Sequence, residues 1–170
     1  MYVLKRKEVN KMKIKIEEKT IYFDMDGTIA DLYSVDGWLD DLESYRVRPY
    51  VEAVPMLNMS LLARYLNKLH KVGYKLGVVS WLSKTGTKEY NERVAEVKRE
   101  WLSIHLKSVQ FDEIHIVKYG TPKQTVVESP LGVLFDDETK NRTDWEGQAF
   151  DVDNILEVLK TIISMERERG

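Results

Sequence analysis

Apolar positions along this chain come in two alternating rhythms. Short runs of branched and aromatic residues mark strands: Ile21-Tyr22-Phe23, Tyr74 to Ser80, Glu113 to Val117, Gly132 to Phe135 and Gln148 to Val152. Between them the spacing changes to that of a helix. From Met56, Leu62, Leu66 and Leu69 recur at four and three, and Gly73 follows as a stop. Over residues 88–106, Tyr90, Val94, Val97, Trp101 and Ile104 form one stripe among Lys, Glu and Arg. Ile155, Leu156, Leu159, Ile162 and Ile163 do the same in the last helix. Pro122 suits the first turn of another, because that position makes no helical hydrogen bond. Residues 29–55 keep neither rhythm and carry the breakers Gly37, Pro49 and Pro55.

Alternating strands and helices predict a parallel sheet with helices on both faces. The expected fold is a Rossmann-like three-layer α/β/α sandwich, its five strands in the order 3-2-1-4-5, with a small insertion at 29–55. In such sheets ligands bind beyond the carboxyl ends of the strands. The residues found there are chemically useful. The first strand ends in Asp24-Met25-Asp26-Gly27-Thr28, the second in Ser80 and the fourth in Asp136-Asp137, while Lys118 and Lys123 follow the third. Carboxylates packed together repel unless a cation or a proton compensates. Oxygen ligands alone point to Mg²⁺. A hydroxyl and a lysine beside such a cluster are what a phosphate dianion needs.

Composition narrows the classes. The chain has 170 residues, 43% hydrophobic and 32% charged, enough for one domain with a real core. It has no cysteine, which excludes a disulfide scaffold, a thiolate zinc site and a cysteine nucleophile. Three histidines make a histidine-rich metal site a poor expectation. No apolar run reaches the roughly 18 residues of a membrane span. Met1 to Lys19 lacks the apolar centre of a signal peptide, so a cytoplasmic location is expected. The formal net charge of −2 argues against a general nucleic-acid binder, yet residues 1–20 hold seven Lys or Arg against three Glu. That stretch reads as a basic N-terminal arm or a first strand, and a tether for nucleic acid is one use of such an arm.

Four segments together resemble the haloacid dehalogenase-like (HAD) phosphohydrolases. Asp24-Met25-Asp26-Gly27-Thr28 is similar to their DxDGT motif, Ser80 to their second, a lysine at a helix start to their third and Asp136-Asp137 to their fourth. Trp81-Leu82-Ser83-Lys84, Lys98-Arg99-Glu100-Trp101 and Lys123-Gln124-Thr125-Val126-Val127 are further similar to the 5'(3')-deoxyribonucleotidase branch, an alignment that favours Lys123 over Lys118. The resemblance implies a phosphatase working through an aspartyl-phosphate. Asp24 would be the nucleophile and Asp26 the acid/base, its carbonyl also binding Mg²⁺. Ser80 would donate to a phosphoryl oxygen, and Lys123 would neutralise the transferring group. Asp24, Asp26, Asp136 and Asp137 would form the metal shell, with Asn141 orienting it. Thr28 would bond across the turn, act as a cap or contact substrate, and Trp38 is a further candidate for substrate binding.

In this family substrate choice comes largely from cap insertions. The slot between Thr28 and Ser80 holds 51 residues, of which 29–55 remain as a cap once a helix and a strand are subtracted. That is shorter than the deoxyribonucleotidase cap and implies an open site. Its residues Tyr33, Trp38, Tyr45, Arg46, Arg48 and Tyr50 could stack a base and meet phosphates, or simply pack the cap. Trp81 is expected as a pocket wall, and Lys84 in the same loop could face substrate phosphate. The expected partner is a small phosphorylated metabolite, a nucleotide first. A nucleic-acid end phosphatase and a non-catalytic phosphate-binding or signalling module are the alternatives.

Overall fold

The structure, a computed structural model, describes residues 13–170. Lys5, Arg6, Lys7 and Lys11 of the basic arm lie outside the described residues. Five parallel strands form the main sheet: β1 (Thr20–Phe23), β4 (Lys75–Trp81), β5 (Glu113–Val117), β6 (Val133–Phe135) and β7 (Ala149–Phe150). Their order is β5-β4-β1-β6-β7, which is the expected 3-2-1-4-5. Phe23 pairs with Val78 on one side and Phe135 on the other, so Asp24, Ser80 and Asp136 leave the sheet at nearly the same level.

Alternation along β1 divides the core. Ile21 and Phe23 pack with Leu76, Val78, Val133 and Phe135 in the larger cluster. That cluster also takes Leu62, Leu66 and Leu69 from helix α3 (Met59–Lys71), Trp101 and Leu102 from α4 (Lys88–His105) and Val158, Leu159 and Ile162 from α6 (Ile155–Arg169). Tyr22 points the other way, to Val79, Leu134 and Trp145. Val126, Val127 and Ala149 pack against this second cluster, and the short helix α5 (Thr139–Asp144) leads into Trp145. The helical layers are therefore unequal.

Local chemistry sets the helix ends. α3 begins at Met59 rather than Met56, because the Asn58 side chain accepts a hydrogen bond from the Leu61 amide at 3.0 Å. Gly73 follows its last turn with φ +98°, a conformation that glycine adopts without a Cβ clash. Thr87 caps α4 in the same way, through the Tyr90 amide. The expected apolar stripe of α4 is corrected at two points. Ile104 is exposed, while Lys98 and Leu102 are buried, because the helix is gripped by the sheet on one side and the insertion on the other. After Pro122 the structure has a 3-10 turn, Lys123–Thr125, in place of the expected helix, with Pro122 as its cap residue.

The insertion at 29–55 has more order than its lack of period suggests. Two-residue strands β2 (Ala30–Asp31) and β3 (Val54–Pro55) pair antiparallel and close its base. Between them lie α1 (Trp38–Glu43) and α2 (Arg48–Glu52), each too short to show a periodicity. Buried Asp41 accepts from both Arg46 and Arg48, and Arg48 also donates to the Asp36 carbonyl. The cap is fixed to α4. Tyr90 Oη donates to the Arg46 carbonyl at 2.8 Å, Trp101 Nε1 to the Ala53 carbonyl at 2.7 Å and Arg93 to the Tyr45 carbonyl at 3.1 Å.

Leu66 lies at the centre of the α3 stripe with none of its surface exposed. Leu66→Ala is expected to lower stability by about 2–5 kcal/mol, the range for emptying such a site. A urea unfolding curve measures it. A loss below about 1 kcal/mol would contradict the packing described.

Candidate active site

The site forms where β1, β4 and β6 end. After β1 the chain turns sharply, and the Met25 carbonyl accepts from the amides of Thr28, Ile29 and Ala30. Gly27 sits at φ +77°, and a Cβ there would fall 2.4 Å from Asp137 Oδ2 and 2.9 Å from the Tyr33 ring. Glycine is therefore required both for the turn and for the approach of Asp137. The turn brings Thr28 under the site. Its hydroxyl donates to Asp24 Oδ2 at 3.1 Å and accepts from the Asp137 amide at 3.2 Å. Thr28 is 1% exposed and lies beneath the cavity lining, where it braces two carboxylates.

Lys123 is the lysine that enters the site. It is 3% exposed, and its Nζ donates to Asp24 Oδ1 at 2.9 Å and Asp136 Oδ2 at 2.6 Å. Lys118 is exposed and makes neither contact. Asp136 is fully buried and also accepts from the Glu138 amide and from Asn141 Nδ2. Ser80 lies buried at the end of β4, and its Oγ accepts from Lys98 Nζ at 2.8 Å. The same ammonium donates to Asp26 Oδ2 at 2.7 Å and to the Trp81 carbonyl at 2.7 Å.

Carboxylate oxygens of Asp24, Asp136 and Asp137 all come within 4.8 Å of one another, a group that can hold a metal ion. The Asp26 carboxylate stands apart from this group, on Lys98. With all groups ionised, the ammonium groups paired with the set Asp24, Asp26, Asp136 and Asp137 are, among the described residues, those of Lys98 and Lys123. The surplus is two negative charges, the charge of one divalent cation. Without a cation the protons compensate. Burial pushes Asp137 up to about 8, with the charge of Asp24 adding to it. Burial and then Asp24 raise Asp136 to about 6 against the pull of Lys123. Burial also raises Asp26, although Lys98 opposes it. Burial draws Lys123 down, but Asp24 and Asp136 outweigh it and hold its ammonium above the ordinary lysine range.

A cavity of about 350 Å³ opens above these groups, and Asp24, Asp26, Asp137 and Lys123 form its polar floor. Tyr33, Trp38 and Tyr50 of the cap form one wall, and Trp81, Leu82, Lys84 and Tyr119 line it from the loops after β4 and β5. Tyr33 and Trp38 meet edge to face at 5.0 Å between centroids, and Trp81 leans on Tyr119 at 4.9 Å. Trp81 Nε1 is anchored on the Thr121 carbonyl at 2.8 Å, with Lys123 Nζ 5.3 Å from the ring centroid. The expected positions of Trp38, Trp81 and Lys84 on the cavity are thus observed. Arg46 and Arg48 are not on it, because both are tied to Asp41, and Tyr45 packs on Tyr90 instead.

Tyr119 escaped the sequence reading, since it follows β5 in a loop with no pattern to mark it. Lys98 was named in the resemblance to the deoxyribonucleotidase branch but given no role; it stands four residues after Val94, where the stripe of α4 turns inward.

Comparison with family models gives no match, nor does comparison with curated proteins. Solved structures do match in fold. D,D-heptose 1,7-bisphosphate phosphatase from Burkholderia thailandensis is 14% identical, with a TM-score of 0.53 over 86% of this chain and 99% of that one. The D,D-heptose 1,7-bisphosphate phosphatase from B. bronchiseptica, complexed with magnesium and phosphate, is 12% identical, with a TM-score of 0.53 over 87% of this chain and 99% of that one. The chain shares the fold of these phosphatases. Among the described residues no helix is long and apolar enough to cross a membrane.

The raised carboxyl groups set a pH test. A carboxyl group with a raised folded pKa favours folding at low pH and loses that contribution as the pH climbs through 6 and 8. A divalent cation must displace the same protons, so it binds more weakly at low pH. Cation-free protein is expected to melt at a lower temperature at pH 8 than at pH 6, and saturating MgCl₂ to raise the melting temperature more at pH 8. Differential scanning fluorimetry reads both. Equal Mg²⁺ shifts at the two pH values would contradict the assignment.

Proposed function

We propose that this protein is a Mg²⁺-dependent phosphomonoester hydrolase of the haloacid dehalogenase-like type that works through an aspartyl-phosphate on Asp24, with a nucleoside monophosphate as substrate. The observation that carries this reading is the setting of Asp24. Lys123 binds one of its oxygens and Thr28 the other, and it forms part of the floor of the cavity. A carboxylate so restrained is a preorganised nucleophile. Among the residues named, Asp24, Asp136 and Asp137 would hold Mg²⁺, together with the Asp26 carbonyl. Of the two adjacent aspartates, Asp137 lines the cavity and is the better direct ligand, whereas Asp136 is already bonded to Lys123, Glu138 and Asn141. When bound, the cation would offset charge on the phosphate and on the carboxylates.

The chain's own residues divide the chemistry. An Asp24 oxygen attacks phosphorus as the ester oxygen leaves, and Asp26 gives that oxygen its proton. Lys123 offsets charge on the equatorial oxygens, and Ser80 donates to one of them. Asp26, now a carboxylate, takes a proton from water as the water oxygen attacks the same phosphorus. The bond to Asp24 breaks, inorganic phosphate leaves, and both aspartates return to their starting states. Burial favours the protonated form of Asp26 that the first step needs.

The walls support the choice of substrate. They are mainly aromatic and aliphatic, as a stacked base requires. Beyond Lys123, Lys84 is the one cationic side chain on the lining, and Glu43 and Glu138 share that lining with it. This favours a single phosphate over a bisphosphate or a nucleic-acid backbone. It also disfavours the end-phosphatase alternative.

With Mg²⁺ and a panel of phosphate esters, wild-type protein is expected to release phosphate, fastest from nucleoside monophosphates, and a chelator to stop it. Asp24→Asn should lose activity by about 1,000-fold or more. Trp81→Ala should raise KM for a nucleotide about tenfold, the scale of one lost stacking contact. Undiminished release by Asp24→Asn would refute the nucleophile. A sugar phosphate turned over better than every nucleotide would refute the substrate class.

A further inference from the structure

We infer that Lys98 is a positioning residue that aims the two groups handling protons at the reacting phosphate, the Asp26 carboxyl and the Ser80 hydroxyl. This rests on the phosphatase reading above. Lys98 lies in the middle of α4 and is 1% exposed, deeper than the ordinary lysine by far. Its ammonium has three N–H donors, and all three are used: on Asp26 Oδ2, Ser80 Oγ and the Trp81 carbonyl.

The direction of these bonds matters. Ser80 Oγ accepts from Lys98, so its own proton is released to donate elsewhere, and a phosphoryl oxygen is the partner the site supplies. Asp26 gives one oxygen to Lys98 and lines the cavity as well. The bond thus fixes the torsion of a carboxyl group that must first give a proton to the leaving oxygen and then take one from water. The Trp81 carbonyl holds the ammonium at the end of β4, beside the wall residue Trp81. Lys98 Nζ also lies 5.3 Å from the Tyr50 ring centroid, so one side chain links cap, strand end and acid/base. A buried ion pair is weak evidence for stability alone, since desolvation offsets most of its attraction. A set of three bonds that converges on two reacting groups has a catalytic explanation.

The test separates aiming from mere support. The p-nitrophenolate leaving group needs no proton, whereas the alkoxide of a nucleoside monophosphate does. Lys98→Met is expected to lose about 100-fold in kcat/KM on a nucleoside 5'-monophosphate, the lower scale of general acid catalysis. On p-nitrophenyl phosphate its first turnover should fall less, about tenfold, because there only the aim of Ser80 is lost and not the proton from Asp26. A burst of one nitrophenolate per site should then precede slow steady turnover, because water attack on the aspartyl-phosphate still needs Asp26. A residue that only supports the fold would depress both substrates alike, and that result would overturn the inference.

Rescue gives an independent arm if Lys98→Met folds poorly. The chain has no cysteine, so Lys98→Cys can be alkylated at that one position, in denaturant, and refolded. Aminoethylation, which restores an ammonium at lysine length, should recover nucleotide turnover at least tenfold over carbamidomethylation, which does not. Equal activity of the two alkylated proteins would also overturn it. Asp24→Asn serves as the reference: loss of activity there with Lys98→Met fully active rejects the Lys98 role alone, whereas phosphate release by Asp24→Asn rejects the underlying mechanism.

Discussion

Everything in this site follows from placing more negative than positive charge at one buried edge of the sheet. Asp24, Asp26, Asp136 and Asp137 are brought there by strand ends and a single tight turn, and two buried ammonium groups cover only half of their charge. Coulomb repulsion between such groups is large where water is scarce. The fold tolerates it because each carboxylate has fixed donors, Thr28 and Lys123 for Asp24 and Lys123, Glu138 and Asn141 for Asp136. The charge that remains is what a divalent cation at Asp24, Asp136 and Asp137 would offset.

The two lysines divide that work by geometry. Lys123 arrives from a 3-10 turn after β5 and holds Asp24 together with Asp136. Lys98 arrives from α4 and holds Asp26 together with Ser80. α4 also carries Tyr90, Arg93 and Trp101, which bolt the cap in place. The cap is therefore a fixed wall of the cavity. Its aromatic face, rather than its motion, shapes what can sit above Asp24.

Much of this was legible in the sequence, for a physical reason. Buried parallel strands are short apolar runs, and the polar residues that end them have little to do except bind something. That reasoning found Asp24, Asp26, Ser80, Asp136 and Asp137 and the strand order. It also failed in particular places. α1 and α2 are too short for a 3.6-residue period to register, so the cap read as irregular. Arg46 and Arg48 read as either phosphate contacts or cap packing, and buried Asp41, silent in sequence, holds both. Lys98 stood in a segment similar to the deoxyribonucleotidase branch but received no role, because its burial depends on partners outside its own helix. Ile104 read as core for the converse reason. Each failure came from a tertiary partner that local pattern does not encode.

The most direct measurement of the central claim is to trap the covalent intermediate. Protein mixed with substrate and Mg²⁺, quenched in acid and reduced with borohydride should carry a homoserine in place of one aspartate. Peptide mass spectrometry should find it at Asp24 and nowhere else. Phosphate release with no reduced residue at that position, or with the label on Asp26, Asp136 or Asp137, would contradict the account.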